Sequence, residues 1–74
     1  MNKDRRKKLV KAVEMLRDAQ ELMNEVEEEE EEAYENLPYS LQGTGNSEKM
    51  EENISILRAY YDALDEMIET LEEM

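Results

Sequence analysis

An all-α fold, a two-helix antiparallel hairpin, is what the sequence predicts, and three observations carry the expectation. Turn formers and helix breakers gather in one place, "NLPYSLQGTGNS" at residues 36–47. The flanking segments are built from Leu, Met, Ala, Glu, Lys and Arg, the strongest helix formers. Apolar residues recur in both segments at helical spacing, and no run alternates with period two for long enough to argue a strand. One domain over residues 1–74 follows, with helices at about 3–35 and 47–73 and a loop at about 36–47.

The first helix carries a broad apolar stripe. With Leu9 at heptad position a, that column holds Leu9, Leu16 and Met23, and column d holds Ala12, Ala19, Val26 and Ala33. Val13 falls at e, and Met15 and Leu22 at g, while c and f are polar throughout. Alanine at three of four d positions would let a neighbouring helix approach closely.

In the loop, Pro38 forbids helix continuation and biases Leu37 towards extended backbone. Gly43 and Gly45 permit positive φ, and Asn46 or Ser47 can cap the second helix. Leu37, Tyr39 and Leu41 alternate, so the loop is expected to fold back over the end of the hairpin.

The second helix repeats the pattern more densely. Column a holds Met50, Leu57, Leu64 and Leu71; d holds Asn53, Tyr60, Met67 and Met74; Ile54, Tyr61 and Ile68 lie at e, and Ile56 and Ala63 at g. Four of seven columns is more than one partner helix buries, since a two-stranded seam needs only two. A short chain without cysteine has no disulfide to supplement its core, which leaves regular packing or self-association. The hairpin is therefore expected to dimerise into a four-helix bundle, with Leu9, Val13, Leu16, Leu22, Met23, Ile56, Tyr60 and Tyr61 as candidate dimer or partner contacts.

The net charge of −12 is unevenly spread. Residues 1–11 carry six basic side chains against Asp4, and the other 63 carry three basic and twenty acidic ones. In a hairpin the basic tip, Lys3, Arg5, Arg6, Lys7 and Lys8, lies beside Asp65, Glu66, Glu69, Glu72 and Glu73 and is expected to pair with them. Glu27, Glu28, Glu29, Glu30, Glu31, Glu32 and Glu35 instead crowd the C-terminal end of the first helix, where the helix dipole disfavours carboxylates. The nearby start of the second helix, "SEKMEEN", is also acidic, so the run is expected to gain nothing within the hairpin. Either it is simply solvated, or a partner supplies cations. A second copy packed antiparallel through the first helix would bring its "KDRRKK" to the run.

Several function classes are disfavoured. With no histidine, cysteine or phosphate-binding glycine loop, and with carboxylates mainly at solvent-facing positions, the chain is read as non-enzymatic and without cofactor. No calcium-loop pattern occurs, and no metal site is expected. The acidic body opposes nucleic acid, and the basic tip lacks interleaved aromatics for base stacking. No apolar run approaches the roughly 20 residues of a membrane span, and Lys11 and Glu14 interrupt the only leader-like start. A cytoplasmic protein with no membrane contact is expected.

Residues 34–71 contain "NLPYSLQ", then Ser47-Glu48, then "MEENI" with Leu57, Leu64 and Ile68. This resembles a family of short, acidic, uncharacterised helical-hairpin proteins of bacterial, prophage and phage genomes. The resemblance covers about half the chain, with Asn36, Leu37, Pro38, Leu41 and Gln42 its most specific part. It implies a hairpin and a mobile-element setting, and no known activity. Two functional expectations result. One is an acidic protein–protein interaction module acting as a self-associating bundle. The other is a phage-type inhibitor whose carboxylates imitate DNA phosphates and block a basic or nucleic-acid-binding host protein.

Overall fold

The computed structural model describes residues 1–74 and contains helices alone. Helix α1 spans Lys3–Glu35, a short 3-10 turn spans Tyr39–Leu41, and α2 spans Gly45–Glu72. The two long helices fold back on each other as a hairpin, a rod of 59 × 14 × 13 Å. No helix is long and apolar enough to cross a membrane.

Local chemistry sets the ends. Asn2 is extended, and its side chain accepts a hydrogen bond from the Arg5 backbone N–H at 2.8 Å, capping α1. At the far end Asn36 closes the last turn before Pro38 stops the helix. Gly43 takes φ +78°, the left-handed region that favours glycine. The chain then enters α2 two residues earlier than the cap expectation allows. Thr44 occupies the cap position, and Ser47 sits inside the first turn, where its hydroxyl accepts from the Gly43 N–H at 2.9 Å and donates to the Thr44 carbonyl at 3.1 Å.

The loop does not close over the hairpin through its alternating apolar residues. Leu37 is half-buried, but Tyr39 is 90% exposed and Leu41 is exposed. In the 3-10 turn Pro38 and Tyr39 accept backbone bonds from Leu41 and Gln42, a tight geometry that turns both side chains outward.

The seam between the helices uses columns a and e, not a and d. On α2 the seam from Met50 onward is apolar: Met50, Ile54, Leu57, Tyr61, Leu64, Ile68 and Leu71 are all buried or half-buried. On α1 the seam runs through Leu9, Val13, Leu16, Gln20, Met23, Glu27, Glu30 and Tyr34. Ala12, Ala19, Val26 and Ala33, the expected close-approach column, face solvent. The reason is area. The e column of α1 offers Val13, Gln20, Glu27 and Tyr34, whereas its d column of three alanines and a valine has little surface to bury. Gln20 is 5% exposed, and its amide donates to the Tyr61 carbonyl and to Asp65 Oδ1, each at 3.2 Å. A buried amide with both partners across the seam fixes the height at which the helices pair.

Only Ile54 and Ile68 are buried apolar residues, and Ile68 alone has no exposed surface. Ile68→Ala is expected to lower stability by about 2–4 kcal/mol, the range for truncating a buried aliphatic side chain. Urea denaturation at fixed protein concentration would measure it.

Candidate interaction surfaces

With columns a and e inside, the hairpin presents two dissimilar faces. Column b of both helices lies along one of them, and the polar bonds between the helices concentrate there. Arg17 pairs with Glu72 near the free end, and Arg58 reaches Glu27 and Glu31 near the loop. Tyr34 donates its hydroxyl proton to Glu51, and the Gln20–Asp65 bond sits between these groups.

The glutamate run is therefore supported from within the hairpin, contrary to the sequence expectation. Arg58 bridges Glu27 and Glu31, with Nη2 to Glu31 Oε1 at 2.9 Å. Asn53 donates to Glu30 at 3.1 Å, and Asn24 to Glu28 at 3.2 Å. Glu27 is drawn inward until its side chain is 13% exposed. Glu28, Glu29, Glu32 and Glu35 face solvent. The guanidinium of Arg58 is held above its ordinary pKa by its bonds to Glu27 and then Glu31. Tyr34 is likewise raised, first by its hydrogen bond to Glu51, then by desolvation and by the carboxylate's charge.

At the free end the basic tip makes fewer bonds than its charge suggests. Arg6 donates to the Met74 carbonyl at 3.0 Å, and no carboxylate lies within ion-pair distance of Lys3, Arg5, Lys7 or Lys8. The ion pair at this end is made by Arg17, outside the tip. A shallow apolar groove of about 430 Å³ opens between Leu9, Val10, Val13 and Leu71. Its rim arginines, Arg6 and Arg17, are already bonded within the chain. No group of three acidic side chains is arranged to hold a metal ion.

The opposite face is apolar. Columns d and g of both helices emerge on the same side, because in an antiparallel pair equivalent flanking columns face each other. This face carries Met15, Leu22 and Val26 from α1, separated by Ala12 and Ala19, and Ile56, Tyr60 and Met67 from α2 around Ala63. Leu22 and Tyr60 are each 62% exposed, and Met67 56%. The expected partner contacts thus divide. Leu22, Ile56 and Tyr60 stand free on this face, while Leu9, Val13, Leu16, Met23 and Tyr61 are consumed by the hairpin's own seam. Met15, Val26, Ala63 and Met67 belong to the face and were missed. Their shared side becomes visible only once the seam is known to be a and e.

Arg58→Gln is expected to loosen the loop end without disturbing the free end. Hydrogen exchange would show several-fold faster amide exchange over residues 24–35, with residues 9–20 unchanged. Tyr34 gives a pH test. Its folded pKa lies above the unfolded value of about 10, so its contribution is complete below pH 10 and lost as pH rises through the folded value. Urea unfolding midpoints of wild type and Tyr34→Phe should therefore differ near neutrality and converge at high pH. Compared with protein-family models, curated proteins and solved structures, the chain matches none.

Proposed function

We propose that the protein is a non-enzymatic, acidic interaction module that works as a self-associated helical bundle. The observation that carries this reading is the apolar face of columns d and g, which both helices build and neither buries. Apolar surface exposed in a contiguous stripe marks an association site rather than ordinary surface composition. The small intrachain core, with only two buried apolar residues, points the same way. Stacking two hairpins through this face would give each helix the second neighbour its apolar columns call for. The outer surface of such a bundle would be carboxylate-rich, suited to a cationic or basic protein partner. A cytoplasmic, mobile-element setting is part of the same proposal.

The phosphate-mimic reading draws less support. Glu27, Glu30 and Glu31 are turned towards Arg58 and Asn53, which leaves a shorter solvent-facing array of Glu28, Glu29, Glu32 and Glu35.

Light scattering at tens of micromolar should give the mass of two chains. Leu22→Glu and Met67→Glu should each convert the protein to a helical monomer, because an unpaired charge buried at the interface costs about 3 kcal/mol or more, roughly a hundredfold in Kd. Ala59→Glu, on an exposed outer column, should leave the mass unchanged. A monomeric wild type would sink the proposal.

A further inference from the structure

We infer that the second copy seats head-to-tail on the apolar face, about a two-fold axis passing through Ala19 and level with Asp65. This rests on the self-association proposed above and adds its geometry.

The d and g columns of α1 reverse onto themselves about one residue. On α1 the face is centred on Ala19: Ala12 and Val26 lie seven residues to either side, and Met15 and Leu22 flank it at four and three. Reversed onto itself, this face sets Ala12 against the partner's Val26, Met15 against the partner's Leu22, and Ala19 against the partner's Ala19. Large residues meet one another in the Met15–Leu22 pair, and the axis falls at the alanine pair, where the backbones could approach closest. On α2 the same axis falls level with Asp65 and sets Ile56 against the partner's Met74, Tyr60 against the partner's Thr70, and Ala63 against the partner's Met67.

The two centres lie at one height in the hairpin. Gln20, next to Ala19, donates to Asp65 itself. One axis therefore serves both helices at once.

A two-fold parallel to the rod would overlap the same faces, so charge must choose between the two arrangements. The free half, residues 1–18 with 66–74, carries seven basic and seven acidic side chains. The loop half, residues 20–64, carries two basic and thirteen acidic ones. A parallel pair would stack two strongly negative halves, whereas the head-to-tail pair sets each negative half against a neutral one. The charged residues of the α1 face agree in detail. Arg5 and Lys8 occupy columns d and g at one end and Glu29 column g at the other, so Lys8 falls opposite the partner's Glu29.

The chain has no cysteine, so single-cysteine variants accept spin labels cleanly. Labels on Lys7→Cys and Asp18→Cys, both at exposed outer positions, should report two separations between copies. Head-to-tail packing places the residue 7 labels about 36 Å apart along the bundle axis and the residue 18 labels only about 3 Å apart along it. In the same geometry Lys8→Glu and Glu29→Lys each weaken association, and the double variant restores it. Short separations at both positions would overturn the head-to-tail geometry while leaving self-association intact. A monomer by light scattering, or a face that takes only a different chain, would overturn both.

Discussion

The structure depends on which of two apolar stripes each helix turns inward, a choice set by buried area and reinforced by polar side chains. A single neighbouring helix covers two heptad columns, while each helix here has apolar residues in four. Choosing a and e brings column b of the two helices together, where Arg17 finds Glu72, Gln20 finds Asp65, and Arg58 finds Glu27 and Glu31. Choosing a and d would turn these groups away from one another and bring Asn53 into the seam. Each exposed ion pair is weak by itself. Their joint effect is to make one face of the hairpin polar and internally satisfied, which leaves the other face apolar by exclusion.

The hairpin itself was legible from residue spacing. Pro38 with Gly43 and Gly45 interrupt two long runs of helix formers, and nothing else in the chain does. The seam was less legible because lettering treats every apolar residue alike. On α1 the d column reads Ala, Ala, Val, Ala and looks apolar, while the e column reads Val13, Gln20, Glu27, Tyr34 and looks mixed. Burial weighs area, so three alanines offer little, whereas Gln20 and Glu27 enter the seam already bonded.

The same limit explains the misjudged glutamate run. The acidic start of α2 lies beside the loop, whereas Arg58 lies more than three turns further along that helix. Because the first turn of α2 projects beyond the end of α1, Glu27 and Glu31 stand level with later turns of α2 rather than with its acidic start. Arg58 long enough to straddle two carboxylates one helical turn apart is a pattern that only the paired height reveals. The exposed members, Glu28, Glu29, Glu32 and Glu35, keep no cation within the chain.

Charge and apolar area have separate roles in the proposed assembly. The d and g columns would supply affinity, since either orientation buries the same apolar face. Orientation would come from the unequal halves of the rod, one neutral and one strongly negative. At 0.1 M salt the screening length is about 10 Å, close to the spacing of packed helices, so the charges that select orientation act mainly between neighbouring layers. Two chains of net charge −12 also repel as wholes. Added salt would then strengthen association while weakening the preference for direction, a division that follows when the interface's area and its charge are set by different columns of the same helices.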